Sequence, residues 1–89
     1  MNKFFGIGKV FMDVNYAFCM QPKLFAVANT FLEIQKYYTA EEKIVIKLEG
    51  INNIADKMYQ QLYKGCNILI VGTLLSNGTI QVFDFKILK

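Results

Sequence analysis

Histidine, tryptophan and arginine are all missing from this 89-residue chain. Without histidine, the side chain that most often moves protons near neutral pH is absent. The two cysteines, Cys19 and Cys66, are too few for a Cys or Cys/His zinc site within one chain. The seven carboxylates are scattered and show no calcium-loop spacing. Catalysis is therefore not expected, and neither is a metal or a cofactor. Proline occurs once and glycine six times, which excludes collagen-like and linker sequence. Long apolar runs are missing too: the most apolar stretches reach about ten residues, against the roughly 20 needed to span a bilayer. The opening Met1–Val14 run is interrupted by Lys9 and Asp13 and has no small-residue cleavage site, so no signal peptide is expected.

What is present is apolar substance. The chain is 54% hydrophobic and 19% charged, which excludes disorder. Its length suits one small domain, read over residues 1–89. Net charge is +3 and every positive side chain is a lysine. The balance is mildly basic and does not by itself select a partner. Lys, Asn, Ile, Phe and Tyr have AT-rich codons, so a low-GC genome is expected, such as a plastid or another reduced genome. The two thiols read most simply as reduced cysteines of an intracellular protein, in a plastid or a bacterial cytoplasm.

The pattern predicts five strands and one helix. Residues 3–14 read as a first strand, with Gly6 and Gly8 marking a bulge or a close backbone approach. A turn around Pro22 leads to a second strand over 24–34, with Leu24, Ala26, Ala28, Thr30 and Leu32 on one face. Phe31 then points outward, as a base platform or a subunit contact. Residues 36–41 are a connection. Residues 43–49 alternate: Ile44, Ile46 and Leu48 inward, Lys43, Val45, Lys47 and Glu49 outward. After Gly50 the period lengthens, with Ile51, Ile54, Ala55, Met58 and Leu62 at helical spacing. Asn52 or Asn53 is expected to cap the helix start, and Lys64-Gly65 to end it. Residues 66–75 and 79–88 form the last two strands around Asn77-Gly78, a strong hairpin signal in which both positions accept positive φ. Five strands with a helix between the third and fourth is the element order of an all-β OB-fold barrel.

On these residues the chain resembles the bacterial-type single-stranded DNA-binding (SSB) family. The opening Asn2-Lys3-Phe4-Phe5-Gly6-Ile7-Gly8 is similar to the family's first strand. Asp13 and Phe18 match an acid and an aromatic that follow it. Val27-Ala28-Asn29, Leu62-Tyr63-Lys64-Gly65 and Ile68-Leu69-Ile70-Val71-Gly72-Thr73-Leu74 fall in register with later motifs. The likeness covers essentially the whole chain. It also departs from the pattern. The stacking tryptophans are replaced near Tyr38 and Val45, and a family phenylalanine falls near Ile51. The long hairpin is cut to Ser76-Asn77-Gly78, and no acidic C-terminal tail is expected. These reductions resemble the primosomal PriB group and short plastid-encoded members of the superfamily.

The resemblance implies single-stranded DNA binding without strong sequence preference, in replication or repair. Such binding needs ammonium groups along the phosphates and flat rings beneath the bases. The expected set is Lys36, Tyr37, Tyr38, Lys43 and Lys47, with Phe18, Lys3, Lys9 and Lys64 as further candidates. Tyr16 alternates with Phe18 and can reach a base or pack under its loop. The resemblance also implies a homodimer or homotetramer formed through the first strand, with Phe4, Gly6 and Gly8 at the contact, and replication proteins as partners. The alternative is an oligomerising or replisome interaction module with weak or no nucleic-acid binding, favoured by the missing tryptophans and by Glu49. RNA in place of DNA is a third option.

Overall fold

Alternation of apolar and polar residues folds the chain into strands that share one buried face. The computed structural model describes residues 3–20, 23–35 and 43–88. Its elements are β1 (Lys3–Val10), β2 (Asn15–Cys19), β3 (Phe25–Gln35), β4 (Lys43–Ile51), α1 (Asn53–Gln61), β5 (Asn67–Leu74) and β6 (Ile80–Leu88). The sheet runs β1-β5-β6-β4-β3, and β1 returns to β3 to close the ring. That is the five-stranded OB barrel, with β4 and β6 parallel at Leu48–Ile80 and the other ring neighbours antiparallel. Closure occurs where Lys9 and Val10 pair with Glu33 and Leu32. The missing side chain of Gly8 permits it: a Cβ there would stand 2.6 Å from the Glu33 carbonyl oxygen. The expected close backbone approach is therefore internal to the barrel.

The interior is built from Val10, Ala28, Leu32, Leu48, Ile68, Ile70 and Ile80, each almost fully buried. Burying each Leu or Ile contributes about 1.5–3 kcal/mol before the entropy of ordering is subtracted. Ala55, Met58 and Leu62 of the helical stretch close one end of this core.

Five expectations change. The strand read over 3–14 breaks after Val10. The Phe11 amide donates to the Phe31 carbonyl at 2.7 Å, and the Thr30 hydroxyl donates to the Met12 carbonyl at 2.6 Å. These bonds pin a bend, and a separate β2 then pairs with β3 outside the ring. On the apolar face, Leu24 precedes β3 and is exposed, and Ile44 is exposed beyond the barrel's reach.

At the helix start, Asn52 occupies the cap position with φ 56° but makes no capping bond. Its side-chain oxygen accepts from the Ala26 amide at 3.3 Å, and its own amide donates to the Ala26 carbonyl at 2.8 Å. The helix start is thereby tied to β3, and a polar backbone pair finds partners.

At the other end, Leu62 leaves the helical conformation to stay in the core, so the helix stops at Gln61. Gly65 does adopt positive φ, in a turn whose amide donates to the Val10 carbonyl at 2.8 Å. In the β5–β6 hairpin only Gly78 has positive φ. The Gly78 amide donates to the Leu75 carbonyl at 3.0 Å, and the Thr79 amide donates to the Asn77 side-chain oxygen. This is a longer loop ending in a left-handed glycine, not a two-residue turn. Among the described residues no helix is long and apolar enough to cross a membrane.

Candidate nucleic-acid interface

Strand alternation that sends Leu32 and Leu48 inward sends their neighbours outward. The outer wall of β3 and β4 consequently carries the cross-strand pairs Val27–Ile51, Asn29–Glu49, Phe31–Lys47 and Glu33–Val45. Facing pairs of this kind bring side chains within about 4.5–5.5 Å at Cβ. Phe31 is half-buried and Lys47 exposed, so an aromatic and a basic side chain leave the sheet from neighbouring positions on an open surface. Val45 is exposed beside them and Ile51 is half-buried. Glu33 and Glu49 flank the pair and temper its positive potential. Lys9 pairs with Glu33 across the closure and brings a second ammonium group to the rim of this wall.

The wall also holds a feature that strand-by-strand reading missed. Asn15, Asn29, Glu49, Gln81, Thr73 and Lys3 are successive register partners across all six strands. They form one polar belt around an outer surface that is otherwise largely apolar. Asn29 Oδ1 and Thr73 Oγ1 on this belt are buried without a hydrogen-bond partner among the described residues. An unpaired buried acceptor costs on the order of 1–3 kcal/mol. No sequence signal marks the belt, because it depends on the register between strands distant in the chain.

The expected binding residues are not all brought together. Lys47 stands on the β3–β4 wall, and Lys43 occupies the same strand opposite Gln35. Lys36, Tyr37 and Tyr38 lie outside the described residues. Lys3 and Lys9 mark the two ends of β1 on its outer face, with Phe5 and Ile7 exposed between them. Phe4, Gly6 and Gly8 alternate with these and are half-buried, and Phe4 packs against the core. Lys64 is exposed in the loop before β5, where its amide donates to an Asp13 carboxylate oxygen at 3.0 Å.

Phe18 belongs to a different surface. It is on the face of β2 that continues the inner side of β3, opposite Ala26. There it meets Tyr16 edge-on, with centroids 5.4 Å apart. Tyr16 in turn stacks on Tyr59 of α1 at 4.8 Å and 29°. The Tyr16 hydroxyl donates to Asp56 Oδ1. That bond, reinforced by partial burial and the nearby negative charge, raises the Tyr16 phenol above its ordinary value of 10.0.

The opposite flank of the helix is occupied by an ion pair. Lys57 Nζ is 2.8 Å from Asp84 Oδ1 and 4.7 Å above the Phe85 ring. The Lys57 bond, with the Phe85 amide as a second donor, holds the Asp84 carboxyl below its ordinary value of 3.8.

No family model matches the chain, and no curated protein does. Solved structures do. The SSB domain of a Synechococcus protein superposes with a TM-score of 0.83 at 14% identity, covering 96% of this chain and 93% of that one. Wild-type single-stranded DNA-binding protein from Thermus aquaticus superposes with a TM-score of 0.82 at 16% identity, over the whole of this chain. A deletion mutant of the Thermus protein gives 0.81, also at 16% identity. The chain spans 41% of the wild-type Thermus protein's length and 42% of the mutant's. At such identities the likeness lies in the backbone path, and it establishes that this chain has the closed OB barrel on which SSB domains are built.

Proposed function

We propose that the chain binds single-stranded DNA on the outer wall of β3 and β4, without strong overall sequence preference, in replication or repair. The observation that carries this is the Phe31–Lys47 pair on an open barrel wall, in a fold shared with SSB domains. The ring offers a face or edge to a base and the ammonium group a contact to the adjacent phosphate. Lys9 at the rim extends the basic path, and the belt amides of Asn15 and Gln81 supply donors and acceptors to base edges. Lys36, Tyr37 and Tyr38, in the stretch between β3 and β4, and Lys43 at the start of β4 belong to the same proposal.

Self-association belongs to the same reading. Among the described residues, β1 pairs with β5 along Lys3–Lys9, but its opposite edge pairs with β3 only at Lys9 and Val10. Phe5 is 72% exposed and Ile7 60% exposed beside that free edge. An open edge bearing apolar side chains invites a second strand, here a second copy of β1. The rival interaction-module reading draws on Glu49, which repels phosphate on the very wall where DNA would lie.

Titration of fluorescently labelled oligo-dT at low and moderate salt tests the proposal. Saturable binding that weakens steeply with salt is expected, as counterion release is lost. No saturable binding even at low salt removes it and leaves the interaction module.

A further inference from the structure

Between the paired β2 and β3 strands and the start of α1 lies a cleft of about 570 Å³, lined among others by Tyr16, Phe18, Leu24, Asn52, Asn53 and Asp56. Its volume falls in the range of small-molecule sites, about 300–1,000 Å³. The lining combines two kinds of group. Phe18 and Leu24 are both more than 60% exposed and supply flat and apolar contact area. Asp56 and Asn52 supply polar groups, each already engaged in one hydrogen bond.

Asp56 is held by the Tyr16 hydroxyl, and Tyr16 is itself held by its stack on Tyr59. A carboxylate accepts about four hydrogen bonds, so one bond from Tyr16 leaves it an acceptor toward the cleft. Asn52 uses its side-chain oxygen on the Ala26 amide. That bond fixes its amide so that the NH2 end remains as donor. The cleft thus presents an acceptor and a donor next to an exposed ring.

We infer that this cleft is a single-nucleobase subsite selective for bases whose Watson–Crick edge carries an exocyclic amino group beside a ring-nitrogen acceptor, cytosine or adenine. The amino group donates to the Asp56 carboxylate, and the Asn52 NH2 donates to the neighbouring ring nitrogen. The base plane lies against Phe18. Uracil and thymine present the reverse order: a carbonyl faces the carboxylate and a ring N–H faces the Asn52 donors. Each mismatch leaves like groups opposed. The subsite rests on the polynucleotide reading above and, on the inner-side surface of β2 instead of the β3–β4 wall, adds to it a bias at one nucleotide per protomer. The rest of the strand remains unselected.

Oligo-dC and oligo-dU of equal length isolate the effect, because the two bases differ only in amino against carbonyl and in the adjoining ring nitrogen. At pH 8 and constant salt the intact chain is expected to bind oligo-dC about five- to fifty-fold more tightly. Asp56→Asn keeps an acceptor for Tyr16 but turns a donor toward the cleft, so the ratio is expected to fall to about one or invert. With the unsubstituted chain, the side-chain amide resonances of Asn52 are expected to shift on adding dCMP and not on adding dUMP. Equal binding of the two oligonucleotides, a ratio unmoved by Asp56→Asn, or unchanged Asn52 resonances with dCMP each overturns the subsite and leaves the general reading standing. Binding of neither oligonucleotide overturns both.

Discussion

The outer surface of β1 and the outer wall of β3 and β4 cover one core and have little else in common. Beneath them lie equivalent apolar residues, Val10, Ile68 and Ile70 on one side and Leu32 and Leu48 on the other. Above, β1 shows Phe5 and Ile7 between Lys3 and Lys9, along an edge that among the described residues pairs with β3 only at Lys9 and Val10. On the β3–β4 wall the far edge of β3 pairs with β2 and β1 and that of β4 meets β6 at Leu48 and Glu49, and the wall mixes Phe31 and Val45 with Lys47, Glu33 and Glu49. A strand's inward residues answer to the core and its outward residues to whatever covers it. The first surface suits a second protein strand, and the second suits a polyanion carrying flat bases. On the proposed reading, one fold holds two separable binding roles.

If the two surfaces share only their core, damage to the core strikes both together. Leu48→Ala removes a fully buried side chain from the strand beneath the wall and is expected to lower stability by about 2–5 kcal/mol. Chemical denaturation measures the loss, and self-association and oligonucleotide binding should fail over the same denaturant range. Two outward substitutions should divide the roles. Phe31→Ala is expected to weaken oligo-dT binding by about 1–3 kcal/mol, with the mass in sedimentation unchanged. Ile7→Gln is expected to lower the mass toward a single chain while each chain still binds a short oligonucleotide. Loss of both properties in either variant would merge the two surfaces into one.

The smallest effect lies away from both surfaces, in the Lys57–Asp84 pair. The folded-state pKa of Asp84 is depressed, so its contribution is present above the ordinary value of 3.8 and is lost as pH falls through the folded value. The pair is substantially exposed, and the contribution is small. Thermal melts between pH 6 and pH 3 should fall less steeply for Asp84→Asn than for the unsubstituted chain, with oligonucleotide binding at neutral pH unchanged.

Much of the barrel is legible in one dimension. Alternation marks β4 and β5, the change of period after Gly50 marks α1, and Gly78 marks the last hairpin. The break between β1 and β2 is not legible, because it is imposed by bonds to Phe31 and Thr30 about twenty residues on. Nor is the role of Asn52, whose composition suggests a helix cap and whose partner is Ala26 of another strand. The site divides in the same manner. Lys47 is recognisable as an outward lysine from its neighbours alone. That it faces Phe31 depends on the β3–β4 register, and that Asp56 faces Tyr16 across forty positions depends on how α1 lands on β2.

By itself the amino-acid order determined which residues prefer to be buried, where strands and helix recur, and the mild excess of lysine. These are local properties, set by side-chain chemistry and by a two- or near-fourfold period. Only the closed tertiary structure decided which outward residues become neighbours: the polar belt across six strands, the ring beside Lys47, and the cleft between hairpin and helix. Register and closure are cooperative outcomes of packing a single core, and no short stretch of sequence carries them.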